Sequence, residues 1–411
     1  MFISVGFYIN VSLMFANRYL GKNRNPVLIH ELSQKDLGIV VVIPCFSEPD
    51  ILQTLHSLIQ CYLPPVGVEV IVLINHSESA SEEVRYRNYK TRREIEAWLS
   101  KNNKPGIHFF VVGPVELRRK WAGAGLARKW GMDEAVRRLN MVNKPGGVIV
   151  SLDADTLVEE NYLVEIEKYF REHPRDVGAT ITFKHQTSGL TGKHLQGIVL
   201  YERYMTYYKN ALEFTGYPHP MFTVGSAFAV TALAYIKRGG MNRRKAGEDF
   251  YFMQNLVQLG PVGEIHSTTV HPSARLSDRV PFGTGSVLQK WMKGEEDLSA
   301  TYDFQAFLDL RRLFDAKDSF YQITEDEYLK ILLNFPQPLT AFLEEVNFWQ
   351  DICLLNANCA EISTFQNRFF QRFNAFKILK FLNYTHEIYY EKAGMAEQIN
   401  RLNEYRQGKC M

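Results

Sequence analysis

Four short runs of β-branched and apolar residues, spaced by helical patterns, set the architecture of this chain: Ile39–Ile43, Val68–Ile74, Ile107–Val112 and Val148–Leu152. Runs without polar alternation belong to strands covered on both faces. After the first run a helix is expected to open at Ser47-Glu48-Pro49-Asp50, with Ser47 as N-cap and Pro49 in the first turn. A charged helix is expected over about Glu82–Lys101, and another over Gly125–Leu139. This alternation predicts an α/β fold, a mainly parallel sheet with helices on both faces. Such sheets bind ligands beyond the carboxyl ends of their strands. Pro44–Glu48, Asn75–Ser77 and Asp153–Asp155 lie at such ends and are expected to converge.

A chain of 411 residues accommodates two or three domains. We assign 1–37 to an N-terminal apolar segment, 38–300 to the α/β domain and 301–411 to a helical C-terminal domain. In the last, Ala306–Phe314, Glu327–Leu333, Leu339–Leu354 and Phe373–Leu382 read as amphipathic helices, with Pro336 and Pro338 breaking the series. Phe2–Ala16 is apolar but carries Asn10 and falls short of the ~20 residues a spanning helix needs. With no basic residue before it, it also makes a poor signal peptide. A packed segment is the expectation, with peripheral attachment at the inner face of a membrane as the alternative. A net charge of +2 argues against a nucleic-acid partner. Five cysteines without paired spacing fit a reducing cytoplasm.

The fourth strand runs straight into Asp153-Ala154-Asp155-Thr156. Two such carboxylates suit a hard divalent cation, which takes oxygen ligands from protein and substrate phosphates together. A nucleotide-sugar glycosyltransferase and a haloacid-dehalogenase-type phosphatase both use this kind of pattern, and a capped turn explains it equally well. Further on, Gly247-Glu248-Asp249 stands at an expected helix start, where the dipole favours an ionised Asp249 able to accept a proton, or where the pair simply caps the helix. His271, before Pro272, is a candidate metal ligand or a structural histidine. Arg279 sits in a Gly-rich stretch ending at Gly285, which suits closure on a diphosphate or a plain turn. Lys120–Arg128 leads through small residues into a helix bearing Arg128, near the sheet's carboxyl edge. Tyr201, Tyr204 and Tyr208 share a helical face that reads as core; Tyr207 lies off it, where a sugar contact is conceivable.

In order, Pro44-Cys45-Phe46-Ser47-Glu48, Gly123-Ala124-Gly125-Leu126-Ala127-Arg128, Leu152-Asp153-Ala154-Asp155, Gly239-Gly240 and Gly247-Glu248-Asp249 resemble the GT-A glycosyltransferases of family 2, over roughly 38–285. The separation of Asp155 and Asp249 is close to that family's usual spacing. One departure is Asn75-His76-Ser77-Glu78, where many members carry Asp-Asp-Gly-Ser. The phosphatase reading fares worse, because its Asp-x-Asp-x-Thr strand normally opens the domain and three strands precede it here. A nucleotidyltransferase would want glycine after the first strand, and Pro44–Glu48 has none.

The resemblance implies inverting, metal-dependent transfer from a nucleotide-diphosphate sugar to a hydroxyl of a saccharide or lipid-linked acceptor. It assigns Mg²⁺ or Mn²⁺ to Asp153, Asp155 and His271, and the general base to Asp249. It places Pro44, Phe46, Glu48, Asn75, Arg128, Asp153 and Arg279 on the donor. A catalytically silent domain that binds nucleotide or glycan is the alternative, and the intact Asp153, Asp155 and Asp249 argue against it.

Overall fold

The computed structural model describes residues 14–23, 25–244, 247–277 and 283–408. The chain packs as two compact units, one formed by 1–188 and 223–286, the other by 189–222 and 287–411.

The first unit is built on eight strands: β1 (Leu37–Cys45), β2 (Gly67–Ser77), β3 (Ile107–Leu117), β4 (Val148–Ser151), β5 (Leu157–Val158), β6 (Gly178–Phe183), β7 (Phe228–Thr231) and β8 (Val262–His271). They form one sheet in the order β3-β2-β1-β4-β7-β6-β8-β5. The β3-β2-β1-β4 half is parallel, as the alternation of strands and helices predicts. β7 then runs antiparallel to both β4 and β6, β6 and β8 pair parallel, and β5 closes the edge antiparallel to β8. Ile39, Val41, Ile43 and Cys45 face a core shared with Val70, Val72, Val150 and Leu152. On the opposite face the helix Ala124–Met141 lies directly on β1. A Cβ at Gly131 would stand 2.4 Å from Val42 Cγ1, so only glycine permits that approach.

The segment before β1 belongs to this unit. Arg138, fully buried, donates to both oxygens of Glu69 at 2.6 and 2.7 Å and also to the carbonyls of Glu31 and Leu32. Tyr19 donates to Asp133 at 2.6 Å, where Tyr235 and Asn25 also donate and Lys129 forms an ion pair. Among the described residues, no helix is long and apolar enough to cross a membrane.

Two local expectations change. Ser47 does not cap the helix Ile51–Gln60; Asp50 occupies that position. Pro49 disfavours a helical Glu48, and Ser47 instead adopts a left-handed φ of 46° while its N–H donates to Asn88 at 2.9 Å. Tyr207 is not a surface aromatic. It is buried, with its hydroxyl donating to the Tyr302 carbonyl at 3.0 Å, whereas Tyr201, Tyr204 and Tyr208 are half-buried.

The second unit is helical. Gly192–Phe214 joins Phe304–Asp315, Glu325–Leu332, Gln337–Glu345, Phe348–Asn358, Ile362–Arg372, Ala375–Ile388 and Met395–Arg406. Its core is a phenylalanine cluster in which Phe348, Phe369 and Phe373 meet edge-on or stacked. The expected single helix Leu339–Leu354 is two helices, because Asn347 takes a left-handed φ of 49° between them.

Candidate active site

Three strand ends carry the polar residues. At the end of β1, Pro44 pairs in register with Leu73, Phe46 is exposed, and Glu48 is buried. At the end of β2, the buried Asn75 spends its amide N–H₂ on the carbonyls of Cys45 at 3.0 Å and Leu73 at 3.3 Å, tying the two strand ends together. Beyond β4, the Asp153–Asp155 turn is pinned by side chains from elsewhere. Thr54 donates to the Ala154 carbonyl at 3.0 Å, and Gln186 to the Asp155 carbonyl at 2.9 Å and the His271 carbonyl at 2.7 Å.

Two arginines organise the carboxylates. Arg128, on the helix Ala124–Met141, is buried and donates to Asp153 at 2.9 Å, Glu248 at 3.3 Å, the Gly225 carbonyl at 3.0 Å and the Ser151 hydroxyl. A buried guanidinium needs such a full set of acceptors, since an unpaired charge there is costly. Arg128 thereby links the Asp153 turn to the first turn of the helix Glu248–Leu256. Arg275, in the loop after β8, holds both oxygens of Glu48 and reaches Asp155 at 2.8 Å.

Asp249 is the chemically distinctive group. It is half-buried at the start of its helix, behind a left-handed Gly247, and its Oδ1 accepts the Phe250 N–H at 2.8 Å. Burial pushes its carboxyl up to about 7, and the neighbouring Glu248 adds to this while Arg128 opposes it. A carboxylate titrating near neutrality is matched to proton abstraction at physiological pH.

The sequence-based candidates therefore fall into groups. Arg128, Asp153 and the Glu248–Asp249 pair are linked; Glu48 and Asp155 are joined through Arg275; Asn75 bridges the ends of β1 and β2. His271 is tied to the Asp155 backbone through Gln186, while its Nδ1 lies 3.0 Å from the Lys184 carbonyl and its Nε2 3.6 Å from Glu159. Among the described residues no cluster of three or more His, Cys, Asp or Glu is arranged to hold a metal. The two aspartates still offer the oxygen donors that Mg²⁺ or Mn²⁺ prefers, with substrate phosphates completing the shell. Arg279 lies outside the described residues. Arg275, rather than Arg279, is the cation of that loop that meets the strand ends among the described residues. Its partner Glu48 is 227 positions away, and no local pattern signals that pairing.

Residues 40–234 match the family model "Glycosyl transferase family 2". That stretch is a family 2 glycosyltransferase domain. It holds the three strand ends and Arg128, with Asp249 and Arg275 beyond its last matched residue. No curated protein matches the sequence. Among solved structures, the glycosyltransferase domain and the helices after it overlap "S. aureus TarS 1-349 in complex with UDP-GlcNAc" at 13% identity and a TM-score of 0.42, covering 82% of this chain and 92% of that one. They also overlap the "Mannosyltransferase PcManGT from Pyrobaculum calidifontis in complex with GDP-Man and Mn2+" at 12% identity and a TM-score of 0.39, covering 86% and 96%. Overlaps this loose carry no functional argument.

Proposed function

We propose that this glycosyltransferase domain moves a sugar from a nucleotide-diphosphate donor to an acceptor hydroxyl on a saccharide or lipid-linked saccharide, with inversion at the anomeric carbon. The observation that carries the reading is Asp249, a carboxyl pushed up to about 7 beside the arginine-linked Asp153 turn.

Asp249 takes the proton from the acceptor hydroxyl as that oxygen attacks the anomeric carbon. The carbon–oxygen bond to the diphosphate breaks in the same displacement, and its electron pair leaves with the phosphate. One base and one displacement give one inversion. Arg128 keeps Glu248 and Asp153 compensated, so that Asp249 is the carboxylate left near neutrality. Arg275 fixes Glu48 and Asp155 at the donor side, where Pro44, Phe46 and Asn75 line the nucleoside. A divalent cation held by Asp155 with Asp153 would offset the charge that builds on the departing diphosphate. We place this chemistry in the cytoplasm, with any membrane attachment peripheral.

The test is nucleoside diphosphate release when the purified protein meets UDP- and GDP-sugars with Mn²⁺, water serving as a slow acceptor. Release by the wild type, and its loss in Asp249→Asn, is the expected result. No release above the uncatalysed rate with any donor would contradict the reading.

A further inference from the structure

The sequence carries one basic tripeptide twice, as Arg118-Arg119-Lys120 after β3 and as Arg243-Arg244-Lys245 shortly before the helix of Asp249. Lys245 lies outside the described residues, and the other five are exposed. Among the described residues, no carboxylate forms an ion pair with any of the five. Glu78 touches the first turn, but it accepts the backbone N–H of Arg119 at 2.9 Å. The basic helix Glu82–Leu99 differs in this respect: Arg85, Arg87, Lys90 and Arg92 each have a carboxylate partner. Four cations of that helix are thus paired, three of them within the helix and Arg85 with Glu116 of β3, whereas the five on the two turns are not.

The fold brings the turns to one place. A Cβ at Gly125 would lie 2.1 Å from the Arg244 carbonyl and 3.0 Å from Glu248 Cβ, so the second turn packs on the start of the helix that follows the first. The five Cα–Cα steps from Lys120 to Gly125 span at most about 18 Å even when extended. Five cations that form no ion pair among the described residues thus stand on two turns flanking the start of the helix Ala124–Met141, the second turn lying just before the helix that bears Asp249, in a chain whose net charge is only +2. Two aromatic rings lie among them. Lys120 stands 4.8 Å from the exposed Trp121 ring, and the Arg244 guanidinium 3.5 Å from the Tyr251 ring. Cations beside an exposed ring suit a ligand with negative groups on a carbon framework, more than a bare ion.

We propose that these two turns bind the acceptor, and that the acceptor is an anionic saccharide chain carrying phosphate or carboxylate groups next to the sugar that offers its hydroxyl. This rests on Asp249 acting as the base. Like charges held together and left without partners repel each other, and a polyanionic chain relieves that repulsion while delivering the hydroxyl to Asp249.

The test measures binding to the full-length protein by calorimetry, using oligogalacturonate as carboxylate probe, polyphosphate as phosphate probe, and neutral dextran. Vesicles of anionic phospholipid form a fourth arm. The variants are Arg118→Gln/Arg119→Gln/Lys120→Gln and Arg243→Gln/Arg244→Gln, with Arg87→Gln/Lys90→Gln/Arg92→Gln and Arg87→Gln/Lys90→Gln as controls that remove the same three and two charges elsewhere. We expect one anionic oligomer to bind at least about tenfold tighter than dextran, each turn variant to lose about tenfold, and the controls to stay within about twofold. The stronger arm names the anionic group. Equal affinity for dextran, an equal loss in the controls, or dependence on the turns seen only with vesicles would each overturn the proposal. Nucleoside diphosphate release into water is read on the same wild-type sample. Release without preference for polyanions overturns the anionic acceptor alone, whereas no release contradicts the glycosyltransferase reading, and the binding arms are interpretable without it.

Discussion

Removing the Arg128 guanidinium should damage stability and proton transfer together. Arg128→Met keeps the length and apolar stem of the side chain but deletes the donors to Asp153, Glu248, Ser151 and Gly225. Glu248, itself buried, then loses the ion pair it forms with Arg128 among the described residues. Removing one partner of a buried pair typically costs about 3–5 kcal/mol. That is a large fraction of the roughly 5–15 kcal/mol that holds a domain folded. The same change removes the charge that holds the Asp249 carboxyl down, so its titration should move above its present value of about 7. The assays are urea unfolding and the pH dependence of donor hydrolysis. Arg128→Lys retains a charge without the planar fork, and should fall between Met and the wild type in both. A Met variant as stable as wild type, with an unmoved pH limb, would refute the assigned role of Arg128.

Three further outcomes follow from the same geometry. Because a base works only when ionised, wild-type turnover should rise about tenfold per pH unit below 7 and level off above it; a flat profile from pH 5 to 8 would exclude Asp249 as the base. Nucleoside diphosphate binding should weaken sharply in a chelator, and Asp155→Asn should reproduce that loss without unfolding the chain; tight binding unaffected by chelator would remove the cation from the account. On cell lysis the protein should be recovered without detergent, at most after a salt wash; a requirement for detergent would make Phe2–Ala16 an anchor.

The parallel half of the sheet was legible because burial on both faces leaves uninterrupted β-branched runs such as Ile39–Ile43, and the strand ends follow from that alternation. The antiparallel β7 was not, since Phe228–Thr231 is too short to show a period. The Asp153 turn and the Asp249 helix start stood out because chemistry and local structure coincide there. Arg275 did not, because its value lies in meeting Glu48 and Asp155 across the fold, and the loop offered another arginine in an equally plausible place. Tyr207 departs from expectation for a related reason. Helical spacing shows which aromatics share a face, but the partner packed against that face decides which one is buried, and here Tyr207 meets Phe307 edge-on.

The role of Asp249 as base is tested most directly by Asp249→Asn, with donor affinity measured by calorimetry beside turnover. The amide keeps the shape and the bond from the Phe250 N–H but cannot take a proton. Turnover should fall by about 10²–10⁴-fold while donor affinity stays close to wild type. Near-wild-type turnover would contradict the account and turn attention to Glu248, and a loss of donor affinity equal to that of Asp155→Asn would move Asp249 from the acceptor side to the donor's cation.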